Sequence, residues 1–395
     1  MTLIPHSSKP SKHPSRSSID TPPQEQLFND AESYFFALKD SINDAKYCID
    51  MEVYIYENNT LGLRVAEILK SAAGRGVTVR LLTDGIGIDD KFKAIADDLT
   101  QHGVQVRIHR PLPWKLEQWR YAVIKTHGIR KLLYLLLSIN KRNHRKTVII
   151  DKHFAFIGSI NISVNHLHNE HGGAHWRDTA IKISGGNLSA LEQAFDASWN
   201  YSKQKVKRII TKTALKSNFL LNYNRILRKH HHRLLLRLIN HAQHHIFITN
   251  AYFVPEPALL KALTSAAQRG VNVQIIVPEH SDVIFMPWVS AYFYKSLLQS
   301  GAHIYEYQPV MLHAKTIMID EWASIGSSNM NHRSFRHDLE VDYILQTKEA
   351  KQQLLDDFHH DCSYTTKQTL SSLAKQPLWK RVAGSLILLL FGRWL

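Results

Sequence analysis

Cysteine is nearly absent: Cys48 and Cys362 are the only two in 395 residues, too few for a disulfide framework or a cysteine-rich metal centre. Cys48 lies in an apolar run and reads as a small core residue of a protein from a reducing compartment. Long apolar runs are also scarce. The longest, 382–391 (VAGSLILLLF), has ten residues, whereas a helix crossing a bilayer needs roughly 20. Lys380 and Arg381 precede it and Arg393 follows, so it fits either an interfacial anchor or a docked terminal helix. Residues 1–21 are rich in Ser, Pro, Lys and His without an apolar core of signal-peptide length, and read as a disordered lead-in. Acidic residues are under-represented as well. Asp and Glu number 34 against 49 Lys and Arg, a net charge of +15, which favours a polyanionic partner, either nucleic acid or an anionic membrane surface.

What is present is a duplication. Ser71-Ala72-Ala73-Gly74-Arg75-Gly76-Val77 recurs 194 residues later as Ser265-Ala266-Ala267-Gln268-Arg269-Gly270-Val271. A helical pattern precedes each copy (61–70 and 258–264), and a β-rich run follows (78–82 and 272–277). Upstream lie strand candidates at 47–56 and 246–254, and downstream at 103–108 and 301–306. The order strand, helix, strand, helix, strand makes each half an α/β layer structure. The reading divides the chain into a lead-in (1–25), a first lobe (26–203), a second lobe (204–365) and a basic, apolar tail (366–395). The basic stretch 203–216 reads as a solvated helix or linker. His230-His231-His232 reads as a polar helix face, since no ligand cluster with metal spacing accompanies it.

Each half carries the same constellation. The first reads His144-Arg145-Lys146-Thr147-Val148-Ile149-Ile150-Asp151, then Gly158-Ser159-Ile160-Asn161. The second reads His313-Ala314-Lys315-Thr316-Ile317-Met318-Ile319-Asp320, then Gly326-Ser327-Ser328-Asn329. On a strand, a His and the Lys two positions later share a face. One His-x-Lys would mean little among 24 histidines; two at the same place in a repeat are specific. The set suits phosphodiester chemistry. Lys146 and Lys315 can neutralise the non-bridging oxygens, and Ser159, Asn161, Ser327 and Asn329 can add neutral hydrogen bonds to the substrate phosphate. One imidazole can attack phosphorus while the other protonates the departing alkoxide, without a metal. Each imidazole needs its second nitrogen fixed by a carboxylate. Asp178 and Glu340, which open β-rich runs 17 and 11 residues after the two asparagines, are the candidates.

These motifs resemble the paired His-x-Lys-x₄-Asp motifs of the phospholipase D superfamily, over about residues 31–361. The resemblance implies a fold of two lobes, each a mixed β-sheet flanked by helices, related by a pseudo-twofold axis with the active site at their interface. It implies a catalytic set of His144 (nucleophile), His313 (acid/base), Lys146, Lys315 and the motif carboxylates Asp151 and Asp320, the last two in structural or supporting roles, with no cofactor. Within the superfamily the arrangement is similar to bacterial cardiolipin synthases that lack N-terminal transmembrane helices. That implies transfer of a phosphatidyl group from one phospholipid to phosphatidylglycerol through a phosphohistidine, at the cytoplasmic face of the bacterial inner membrane. Alternatives are a phosphodiesterase acting on other phospholipids and a nuclease. Five residues separate Asp320 from Gly326 where six separate Asp151 from Gly158, a deletion expected to fall in a turn.

The halves differ most before the first motif. Pro111 precedes His144 by 33 residues, but Pro309 precedes His313 by 4, so the first half carries an insertion near 112–140. It holds Trp114, Trp119, Tyr121, Tyr134, a leucine-rich run and the bases Lys115, Arg120, Lys125, Arg130 and Lys131. Aromatics, leucines and bases together suit an anionic bilayer. Backbone tracking of nucleic acid needs charge and stacking aromatics rather than leucines, so the membrane reading is preferred.

Overall fold

The repeated Ser-Ala-Ala-x-Arg-Gly-Val segment closes a helix in each half. After the helix Thr60–Gly74, Gly76 takes φ +89°, and after Pro257–Gln268, Gly270 takes φ +92°. Glycine pays no Cβ penalty there. The N–H groups of Val77 and Val271 reach back to the carbonyls of Ala72 and Ala266, both at 3.2 Å. Arg75 and Arg269 donate to the carbonyls of Ile42 and Ile239 at 2.8 and 3.0 Å, tying each helix to the one before it. The repeat is therefore a capping device that aims the chain into the next strand.

The computed structural model describes residues 22–123, 135, 140–200 and 204–392. Its first sheet contains β1 (Gln24–Phe28), β2 (Cys48–Val53), β3 (Thr78–Asp84), β4 (Gln105–His109), β5 (Thr147–Ile150), β6 (Phe154–Gly158) and β7 (Ala180–Ser184), in the order β1-β7-β6-β5-β2-β3-β4. The second contains β8 (Phe219–Leu221), β9 (His245–Asn250), β10 (Asn272–Pro278), β11 (His303–Tyr307), β12 (Lys315–Ile319), β13 (Trp322–Gly326), β14 (Val341–Ile344) and β15 (Thr365–Lys367), in the order β15-β11-β10-β9-β12-β13-β14-β8. In each, three parallel strands (β2–β4, β9–β11) meet an antiparallel set at β5 or β12. Both sheets are mixed and flanked by helices.

β5 and β12 are buried on both faces, which is why they read as continuous apolar runs. Val148 and Ile150 face the first lobe's helices and Ile149 faces the other lobe; Ile317 and Ile319, against Met318, do the same in the second. The inward residues, among them Ile157, Ile181, Ile325 and Val341, form one apolar core between the sheets. Each such side chain contributes about 1.5–3 kcal/mol by leaving water, so the lobes are held as one unit. The deletion after the second motif lies in a turn: Ile150 pairs with Phe154 around three residues, Ile319 with Trp322 around two.

Several expectations change here. Cys48 opens β2 half-buried, at the margin of the core and not inside it. His231, in the helix Arg225–His241, points inward at 3% exposure and lies 3.3 Å from Asn222 Oδ1; His232 approaches Glu256 at 3.2 Å. That run is not a uniform solvent face. In the insertion, Trp114 and Leu116 are exposed, but Tyr121 is buried in the first core. Lys115 and Arg120 pair with Asp90 and Asp97. Tyr134, Lys125, Arg130, Lys131 and most of the leucine run lie outside the described residues, as does the lead-in 1–21. The tail forms the helix Leu378–Phe391, whose Gly384 sits against the Trp288 carbonyl and whose Trp379 ring meets Trp288 edge-on at 5.1 Å. Leu378, Leu389, Leu390 and Phe391 of the same helix remain exposed, so it is docked on one side and apolar on the other. Among the described residues, no helix is long and apolar enough to cross a membrane.

Candidate active site

Both His-x-Lys pairs lie just before or at the start of β5 and β12, beside the C-terminal ends of β2 and β9. That is the end of an α/β sheet where ligands bind. The regular strands begin only at Thr147 and Lys315, so the histidines stand in extended lead-ins. Short cross-lobe bridges hold these lead-ins. His144 donates its N–H to the Leu339 carbonyl at 2.9 Å, and His313 donates to the Arg177 carbonyl at 2.7 Å. Leu339 and Arg177 immediately precede Glu340 and Asp178.

The bridges therefore place each carboxylate beneath the imidazole of the opposite lobe. His144 Nδ1 lies 3.0 and 3.1 Å from the two Glu340 oxygens, and His313 Nδ1 lies 2.7 Å from Asp178 Oδ1. A carboxylate at Nδ1 fixes the tautomer that leaves the Nε2 lone pair outward. Lys146 and Lys315 each donate to the carbonyl of the histidine two residues earlier. Both ammonium groups act on Glu340, and Lys146 feels Glu340 and Asp178 together. The two half-sites thus form one electrostatic cluster.

Burial sets the charges. It pushes Lys146 down to about 7 and Lys315 down to about 8, with the carboxylates opposing. It pushes Glu340 up to about 7 against the pull of Lys146, and it drives His144 well below the ordinary range, reinforced by Lys146. His313 is lowered to about 3, burial and Lys315 outweighing Asp178. Burial also opposes ionisation of Asp178, but His166 and His313 outweigh it and keep this carboxylate well below its usual range.

Two pairs of motif residues lie away from a substrate phosphate. Asp151 and Asp320 are not at the site: each caps backbone N–H groups at the far end of its strand, Asp151 those of Lys46, Tyr47 and Cys48 and Asp320 those of Gln243, His244 and His245, at 2.7–3.0 Å. Five residue steps of extended chain, roughly 16 Å, lie between each and its lysine. Ser159 and Ser327 are fully buried and donate to Asp178 at 2.7 Å and Glu340 at 2.5 Å, so they orient carboxylates and do not face a substrate phosphate. Asn161 and Asn329 are buried beside their lysines; Asn161 Oδ1 accepts the Ile55 N–H at 3.1 Å.

Other residues escaped the sequence reading. His166 Nδ1 lies 2.6 Å from Asp178 Oδ2, and Ser334 donates to Glu340 Oε1 at 2.7 Å. His166, Asp178 and His313 bring ligand-type atoms within 4.8 Å of one another, a spacing not visible in the sequence; both Asp178 oxygens are turned to ring nitrogens. Buried Arg142 pairs with Asp84 and donates its backbone N–H to Asp338 at 3.0 Å. Asn143 donates its backbone N–H to Asp84 at 2.8 Å. These contacts anchor the approach to His144 from both lobes. The signal was the Arg142-Asn143-His144-Arg145 cluster, where the second copy has Met311-Leu312-His313-Ala314. Tyr54 flanks His144 at 4.9 Å between ring centroids, and Trp176 flanks His313 at 5.4 Å.

Residues 38–199 and 235–362 match the family described as cardiolipin synthase, PLD-like domain. The chain belongs to that family. It is an enzyme of the phospholipase D superfamily. A cardiolipin synthase of Clostridium perfringens is 34% identical over 379 residues, covering 91% of this chain and 75% of that protein. The major cardiolipin synthase ClsA of Bacillus subtilis is 29% identical over 379 residues, covering 92% and 74%. The phosphatidylserine synthase of Haemophilus influenzae is similar in fold, with a TM-score of 0.68 at 12% identity over 94% of this chain and 95% of that one. The mixed two-lobe architecture is thus that of the PLD-like family, and the matched segments each contain one complete His-Lys motif.

Proposed function

We propose that this enzyme is a cardiolipin synthase-type phosphatidyltransferase. The observation that carries the reading is the crossed pairing of His144 with Glu340 and His313 with Asp178, around which two lysines are gathered. His144 Nε2 attacks the phosphorus of one phosphatidylglycerol. The bond to the glycerol oxygen breaks, and His313, protonated at Nε2 as the anionic substrate binds, gives that oxygen its proton. The product is free glycerol and a phosphatidyl group on His144. The headgroup hydroxyl of a second phosphatidylglycerol then loses its proton to His313 and attacks phosphorus, releasing cardiolipin and restoring His144. Lys146 and Lys315, protonated as the anion binds, neutralise the non-bridging oxygens, and Asn161 and Asn329 add neutral hydrogen bonds. Another phospholipid can serve as phosphatidyl donor by the same steps.

Phospholipid substrates favour an anionic bilayer surface, and we infer a peripheral protein of the cytoplasmic face of the bacterial inner membrane. Exposed Trp114 and Leu116, beside the chain that leaves β4, and the apolar outer side of Leu378–Phe391 with Lys380 and Arg381 have the composition for that surface. Their apolar character distinguishes the reading from a nuclease. The test is to incubate the purified protein with phosphatidylglycerol vesicles and analyse the lipids. Cardiolipin and glycerol in equal amounts are expected. Phosphatidic acid without cardiolipin would make the enzyme a hydrolase, and no lipid product at all would remove the reading.

A further inference from the structure

The two halves orient their histidines with carboxylates of different length. Asp178 is one methylene shorter than Glu340, yet each holds the opposite lobe's imidazole at Nδ1. The difference is matched at one further position, five residues after each motif asparagine: His166 in the first half, Ser334 in the second. The two residues have the same partners. Asn161 donates its N–H to His166 Nε2 and Asn329 donates its N–H to Ser334 Oγ, both at 3.2 Å. His166 then reaches Asp178 Oδ2 at 2.6 Å, and Ser334 reaches Glu340 Oε1 at 2.7 Å. The remaining oxygens receive Ser159 and Ser327. A ring that projects far meets the short carboxylate, and a short hydroxyl meets the long one.

The Asn161 N–H fixes the tautomer of His166, leaving its proton on Nδ1 for Asp178. The ring is 1% exposed, packed edge-on against Trp176 at 5.3 Å and 5.7 Å from the His313 ring. A merely structural histidine could satisfy these bonds too. The length match with the second half argues for more, because it preserves the direction in which the carboxylate faces the imidazole across the lobe interface.

We propose that His166 is a positioning residue of the phosphoryl-transfer reaction, acting through Asp178 on His313, and that His166–Asp178 and Ser334–Glu340 are equivalent as pairs but not residue by residue. This rests on the reading that His144 and His313 flank one phosphorus. The test is a double-mutant cycle in the full-length enzyme, reading kcat and KM for cardiolipin formation on phosphatidylglycerol vesicles. His166→Ser strips one donor from a buried carboxylate and leaves a gap; Asp178→Glu overfills the same space. Each single variant is expected to lower kcat roughly tenfold to a hundredfold with KM changed less than about threefold. The double variant Asp178→Glu/His166→Ser rebuilds the second half's pair in the first half and is expected to return kcat to within about threefold of the parent.

His166→Gln, which offers a donor and an acceptor at similar reach, should retain most of the activity; it also supplies a reading if His166→Ser does not fold. A double variant no better than the worse single variant would overturn the proposal, as would an undiminished His166→Ser. His144→Ala and His313→Ala run alongside: full activity in either would overturn the shared-phosphorus reading itself, whereas their inactivity with failed rescue would overturn only the role of His166.

Discussion

Replacing Lys146 by Met should abolish turnover while stabilising the fold at neutral pH, and the pH dependence of that gain is the informative part. Lys146 is 3% exposed; its ammonium donates to the His144 carbonyl at 2.8 Å and lies 5.2 Å from the centre of the Tyr54 ring. Burial, opposed in part by Glu340, brings its pKa from 10.5 down to about 7. At about 1.4 kcal/mol per unit, keeping this lysine in place at pH 7 costs on the order of 4 kcal/mol relative to the unfolded chain. The folded state gives up the proton near pH 7 and the unfolded state keeps it to about 10.5. Between those values the unfolded chain binds more protons, so the stability of the parent rises with pH. Below pH 7 both states are protonated and the full penalty remains; above 10.5 it is gone. Met is unbranched and fills similar space. Glu340, itself pushed up to about 7, can take a proton when the ammonium is removed, so the substitution leaves no unpaired buried charge. Urea unfolding of both proteins at pH 7, 8, 9 and 10 checks this. The Met variant should be more stable by a few kcal/mol at pH 7, with the gap closing steadily toward pH 10. A constant gap, or a less stable variant at pH 7, would refute the reasoning.

Removing residues 377–395 should weaken flotation with phosphatidylglycerol vesicles more than it slows turnover of a soluble phosphodiester analogue, because the exposed side of Leu378–Phe391 faces away from its docking partner Trp288; equal losses in both assays would count against an interfacial role. Gly76→Ala and Gly270→Ala meet no atoms within 4 Å, so each should lose only the backbone cost of a left-handed residue, about 1–2 kcal/mol, read as a lower thermal midpoint. An unchanged midpoint would remove the capping explanation of the repeat.

Much of the frame was legible because it is local. The short apolar run after each His-x-Lys marked β5 and β12, and the recurrence of His-x-Lys at one place in a repeat gave the paired site. Asp178 and Glu340 were legible by the same symmetry. Their crossing was not, since a period of two says which side chains share a face and nothing about what faces them from another lobe. Ser159 and Ser327 looked like phosphate ligands because a hydroxyl in sequence carries no direction; burial turned them to the carboxylates. Asp151 and Asp320 sit in the motif for a backbone reason, satisfying turn amides that would otherwise lie bare. His166 and Ser334 share a position but not a residue type, so a search for matching letters passes over them.

The central claim is that imidazoles from two lobes act on one phosphorus, His144 as nucleophile. The direct measurement is a rapid denaturing quench at alkaline pH during turnover of phosphatidylglycerol, followed by peptide mass spectrometry. A phosphatidyl adduct on His144, absent from His144→Ala, is expected. Cardiolipin formation at full rate with no adduct on His144, or with the adduct on another residue, would contradict the account.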